Sequence, residues 1–189
     1  MFQKAQKRAP TIVNGVTVED VHAIVGQLQA DAANAQYKFR ATNKWKDGGV
    51  NISSIKGFYA MGKEDTSRDE VFLVGVDQPE TIAGKNGGPN PVEYLLHSLV
   101  SCLTMTMIFH AAVQGIEVES VDSHIEGDMD TRGFFGLSDD VRKGYSNIRV
   151  TLRVKSDASA ERLKEMALFS PVYDVVSRSV PTDFIIEKI

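Results

Sequence analysis

Cys102 is the only cysteine in 189 residues, and it is the one side chain here able to act as a redox nucleophile. The thiolate is the attacking form, and a peroxide carries it to sulfenic acid. A single thiol excludes an intramolecular disulfide framework and a multi-cysteine metal site, and it fits a reducing compartment. Cys102 lies in an apolar run from Pro91 to Gln114. At 3.6 residues per turn, Glu93 falls about 180° and His97 about 140° away around a helix. Neither can activate the thiol from within that helix. Glu93, His97, Ser101 and Thr104 form a polar stripe, whereas the side bearing Cys102 carries Leu95, Ser98, Met105 and Phe109. An apolar setting makes a cysteine a packing residue. Reactivity at Cys102 therefore needs a cation or donor from another part of the fold or from another subunit.

The remaining polar candidates have plainer explanations. His22, His97, His110 and His124 show no His-x-His or His-Glu-x-x-His spacing. Glu126, Asp128 and Asp130 share one strand face by alternation alone, and pairing with Arg149 and Arg153 accounts for them, so no metal is expected. Gly84 to Gly88 is glycine-rich but lacks the Gly-Lys-Ser/Thr of a phosphate loop, and no nucleotide cofactor is expected. A hydrolase built on Ser170 or Ser101 lacks a placed histidine and acid.

These residues must be held by a framework that the periodicity outlines. Thr17 opens a helix in which Val18, Val21, Ile24, Val25 and Leu28 recur at helical spacing, to about Ala35, with Asp20 as a weak capping partner. Residues 1–16 read as a mobile lead-in. A hairpin over 37–59 turns at Asp47-Gly48-Gly49, and Glu70 to Val76 forms a third strand. Pro91 suits the first turn of the long apolar helix, and Gly115 its C-terminal cap. That helix could span a bilayer by length, but Glu93, His97 and His110 interrupt it. It reads as the buried central helix of a soluble protein or oligomer.

Strands 118–130 and 146–155 alternate apolar and charged residues, one acidic and one basic, so they should pair antiparallel. A helix starting at Ser159, a short helical piece after Pro171 and a strand over Asp183–Glu187 complete the order. The class is α+β, with long helices against antiparallel sheet. Hydrophobic residues at 42% and charged residues at 24% give enough apolar matter for one sizeable core. A net charge of −4 carries no basic nucleic-acid footprint. The basic N-terminus is followed by no apolar stretch of the signal-peptide kind, so a cytoplasmic location is expected.

The run Gly88-Pro89-Asn90-Pro91-Val92-Glu93-Tyr94-Leu95-Leu96-His97-Ser98-Leu99-Val100-Ser101-Cys102 resembles the OsmC/Ohr family, in which an Asn-Pro turn opens a long helix and a cysteine follows the proline by eleven residues. The resemblance continues through Gly133-Phe134-Phe135-Gly136-Leu137 and Ser170-Pro171-Val172-Tyr173, covering roughly 37–189. Residues 1–36 stand outside it as an N-terminal extension with a helix. The resemblance implies an intertwined homodimer, with curved antiparallel sheet wrapped around two long central helices. It also implies peroxiredoxin-like thiol peroxidase chemistry on organic hydroperoxides, in the service of an oxidative stress response.

Carried over residue by residue, the set is incomplete. Cys102 matches the peroxidatic position. The family's active-site Glu directly follows the Pro, where Val92 stands, and Glu93 comes one place late. Its Arg comes from the first hairpin loop, and no Arg occurs over 46–54, where Lys46 offers only a point charge. Ser170 occupies the resolving-cysteine place and cannot form a disulfide. The sequence thus points to an OsmC-like redox protein, with a one-cysteine, thiol-dependent hydroperoxide reductase cycle at Cys102 and an external thiol as reductant. The alternative is a non-catalytic member binding an apolar small molecule at the dimer interface, with Val92, Glu93, Phe134 and Phe135 lining the site and the Phe pair serving as an apolar lid.

Overall fold

Turn dipeptides with positive φ close two of the five strand pairs among the described residues. The structure, a computed structural model, describes residues 9–179. The expected strand over 183–187 lies outside the described residues. Asn14 and Gly15, at φ 53° and 76°, join β1 (Ile12–Val13) to β2 (Val16–Thr17) as a small hairpin, where the sequence reading had only a lead-in. Asn-Gly accepts the left-handed conformation of both central turn residues. The Asn14 side chain donates to the Ile116 carbonyl at 2.9 Å and accepts from the Val118 amide at 2.8 Å, which fastens this hairpin to the segment after the long helix.

α1 (Val18–Ala30) stops five residues before the expected end. Asp31 ends it by accepting from the Ala33 amide, which starts a short 3₁₀ turn over Ala32–Ala35. Thr17 makes no side-chain cap, and Glu19, not Asp20, supplies the carboxylate that closes the entry, accepting from the Thr11 amide at 2.9 Å.

The expected hairpin forms as β3 (Thr42–Asp47) and β4 (Val50–Ile55), in register from Thr42↔Ser54 to Asp47↔Val50. The chain then leaves this sheet. β5 (Phe58–Ala60) pairs instead with β6 (Lys63–Asp65), a strand the sequence reading missed, across Met61-Gly62 at φ 50° and 76°. β7 (Phe72–Val76) returns against β4, giving the order β3-β4-β7.

The glycine-rich stretch encloses a side chain of its own chain. Asp77 is fully buried, and its carboxylate accepts from the amides of Gln78 at 2.7 Å, Gly87 at 3.0 Å and Lys85 at 3.1 Å. A Cβ at Gly84 would sit 1.8 Å from the Gln78 carbonyl oxygen, so only glycine permits the wrap. The loop is an amide cradle filled by Asp77.

These amides, Gly87 foremost, hold the Asp77 carboxyl below its usual range. A depressed carboxyl contributes stability above its ordinary value near 3.8, and that contribution disappears as pH falls through the lowered one. Asp77→Asn should therefore be less stable at neutral pH and show a flatter acid limb in circular dichroism. High salt isolates this buried site, because it screens the exposed carboxylate pairs. Superimposable acid curves for the two proteins would contradict the assignment.

α2 (Pro91–Val113) follows, with Gly115 at φ 69° just past its end. β8 (Ser120–Asp128) and β9 (Asn147–Lys155) pair antiparallel from Ser120↔Lys155 to Asp128↔Asn147, as their alternation requires. Arg149 bridges Glu126 at 2.7 Å and also reaches Asp128, and Lys155 pairs with Glu119, so the acidic and basic faces do meet. Between these strands stands α3 (Thr131–Phe134); after them come α4 (Ala160–Ala167) and α5 (Pro171–Arg178).

The described chain divides into two compact units, at a point within α2. The first holds, of the described residues, 9–11 and 17–95, with the β3-β4-β7 sheet. The second holds 12–16 and 96 onward, and its core is built on α2. Leu99, Leu103, Met107 and Ala111 follow an i, i+4 line and pack on Leu163, Met166 and Ala167 of α4. The apolar faces of β8 and β9 (Val121, Ile125, Ile148, Val150 and Val154) close over that cluster. The architecture is α+β with open antiparallel sheets.

Candidate functional site

The cysteine is set by its place on α2. The helix begins at a reciprocal cap: the Glu93 amide donates to Asn90 Oδ1 at 2.9 Å, and the Asn90 amide donates to Glu93 Oε2 at 2.8 Å. Asn-x-x-Glu ahead of an apolar run is the sequence signal for this arrangement, and it escaped notice there. The Glu93 carboxylate thus has a structural task. Val92, in the first turn, is half-buried.

Cys102 is 8% exposed. Its Sγ lies 4.0 Å from Thr106 Oγ1, one turn on, a contact at the limit for sulfur. Thr106 has no distinguishing sequence signal beyond its i+4 spacing. On one side of Cys102 runs the core line of Leu99 and Leu103. On the other runs an open stripe of Leu95, Ser98, Met105, Phe109 and Val113. Met105 is 55% and Phe109 46% exposed within the chain. The sequence reading had this helix buried in a soluble protein or an oligomer; within the single chain one of its sides is covered.

By length and composition α2 could cross a membrane, the one such helix among the described residues. Its inner line instead forms the core of the second unit. His97 Nδ1 lies 3.5 Å from Ser101 Oγ, both exposed, and no carboxylate orients this pair among the described hydrogen bonds. No group of three His, Cys, Asp or Glu is placed to hold a metal ion among the described residues.

Ser170 is 1% exposed, and its Oγ accepts from the Tyr173 amide at 3.1 Å. It is the N-cap of α5, with Pro171 in the first turn. A serine thus meets at this position a need that cysteine fills poorly. Ser170→Ala should cost about 0.5–2 kcal/mol through loss of the cap. At this chain length the thermal midpoint should fall about 2–4 °C for each kcal/mol. An unchanged midpoint would contradict the capping role.

Phe134 and Phe135 sit on and just after α3, an ordered short helix rather than a plain loop. Asp130 caps it through the Arg132 amide, and a Cβ at Gly133 would meet the Arg142 carbonyl oxygen at 2.4 Å. Both Phe rings are exposed and meet edge to face at 4.9 Å. In the first unit, Lys46 is exposed near the end of β3, and Arg68 lies over the rings of Phe58 and Phe72.

A family model described as OsmC-like protein matches residues 84–184, more than half of the chain. The chain belongs to the OsmC-like family. The matched span holds the Asn90-Pro91 turn, α2 with Cys102, the β8–β9 pair and Ser170-Pro171. Among solved structures, the chain is similar to an OsmC-like protein from Mycoplasma pneumoniae. That match has a TM-score of 0.54 and 18% identity, over 75% of this chain and 88% of the other. It is also similar to a putative osmotic stress induced and detoxification response protein from Psychrobacter arcticus. Here the TM-score is 0.53 and the identity 14%, over 74% of this chain and 88% of the other. At such identities these likenesses establish the OsmC-like fold. No curated protein matches the chain in a sequence search.

Proposed function

We propose that this OsmC-like protein is a cytoplasmic homodimer that reduces organic hydroperoxides in a one-cysteine cycle at Cys102. The observation that carries this reading is the place of the only thiol: eleven residues into the Asn-Pro-opened helix of the family, at the edge of an open apolar stripe. The Cys102 thiolate attacks one peroxide oxygen. An S–O bond forms, the O–O bond breaks, and the alcohol leaves with a proton. Ser170 offers no thiol, so the sulfenic acid waits for an external one. The first external thiol forms a mixed disulfide and releases water. A second displaces Cys102 as thiol and leaves as the oxidised disulfide. The sum is one hydroperoxide and two thiols giving alcohol, water and one disulfide.

The homodimer reading rests on the open stripe of α2. Apolar side chains in a continuous row at a helix face are a surface that a second copy covers. A partner there also stands beside Cys102, where an activating group has to come from.

A second reading is favoured by one observation. Glu93, one place after the family's active-site Glu position, and Ser170, at its resolving-cysteine position, are engaged in helix caps. In that reading the protein binds an apolar small molecule at the dimer interface, and Cys102 is packing. Hydroperoxide consumption with an external thiol, in wild type and Cys102→Ser, separates the two.

A further inference from the structure

We propose that a groove between α2 and α4 binds small aromatic carboxylates. It lies wholly within the second unit and has a volume of about 570 Å³, within the range of small-molecule sites. Its floor includes Met166, which is fully buried. One wall is a ring pair: His110 and Phe169 stack with centroids 4.6 Å apart and planes at 17°. Phe169 remains 69% exposed, so a flat arene can extend the stack against it.

Another wall carries a cation. Arg162 donates through Nη1 to Glu165 at 2.8 Å and through Nη2 to the Gln114 side-chain oxygen. A guanidinium has five N–H donors, so these two contacts leave three for a ligand. A carboxylate is the group that fits this fork in bidentate fashion. Glu165 stands in solvent, and an exposed i, i+3 pair is worth little, so it does not hold Arg162 against an incoming acid. Apolar floor, aromatic wall and guanidinium together define a ligand with one flat apolar body and one carboxylate.

The probe is 2-naphthoate, titrated into the full-length protein by calorimetry, with 2-naphthylmethanol as its neutral counterpart. The expected result is saturable binding of one naphthoate per chain. The alcohol should bind about tenfold or more weaker, the usual loss of a hydrogen bond to a charged group. Arg162→Gln and Phe169→Ala should each weaken naphthoate by about tenfold or more at an unchanged circular dichroism spectrum. Glu165→Gln, which removes the neighbour but keeps the guanidinium, should bind at least as well as wild type. Absence of saturable binding, equal affinity for acid and alcohol, full affinity in Arg162→Gln, or lost affinity in Glu165→Gln would each overturn the proposal.

Discussion

On the homodimer reading, the double substitution Met105→Asp, Phe109→Asp is expected to lower the sedimenting mass at micromolar concentration from twice 20.8 kDa to that of one folded chain. The two side chains lie one helical turn apart in the open stripe of α2, and they contribute nothing to the inner line of Leu99, Leu103, Met107 and Ala111. Folding of the second unit should therefore survive, with its circular dichroism intact. The interface should not. A two-fold contact repeats every substitution, so two changes per chain place four carboxylates in an apolar interface. Truncating a central anchor commonly costs about 2 kcal/mol or more. Even with heavy non-additivity, the dissociation constant should rise about a thousandfold or more. A wild-type chain that sediments as a folded monomer at micromolar concentration would contradict the dimer reading. So would a double variant that remains dimeric.

Legibility in the sequence followed the range of the interactions. β8 and β9 were readable because alternation and charge complementarity specify both the buried face and the partner. α2 was readable in extent, since Pro91 and Gly115 mark its ends. Its environment was not. Apolar content says that a helix needs cover, and only the fold shows that one side is met within the chain while Met105 and Phe109 stay exposed.

The missed elements, β1-β2 and β6, are strands of two or three residues, too short for a period to register. Their turns, Asn14-Gly15 and Met61-Gly62, held the signal instead. At the candidate site, the family resemblance singled out Cys102 by its distance from Pro91 and Ser170 by its place before Pro171. It gave no account of Ser170 as a cap, although a serine just ahead of a proline in the first helical turn is a signal for one. Nor could a glycine-rich stretch reveal that its amides are spent on Asp77, eight and ten residues before the donors at Lys85 and Gly87.

In the proposed cycle, all redox chemistry passes through Cys102 and an external thiol. The most direct test follows consumption of an organic hydroperoxide with dithiothreitol, a dihydrolipoamide-type dithiol and thioredoxin supplied in turn, for wild type and Cys102→Ser. The account predicts slow turnover by wild type with at least one of these thiols, none without a thiol, and complete loss in Cys102→Ser. Peroxide-treated wild type should carry sulfenic acid at Cys102, trapped as its dimedone adduct, and no intramolecular disulfide. Equal consumption by the two proteins would contradict the account, leave Cys102 as packing, and turn the reading to the binding of an apolar ligand.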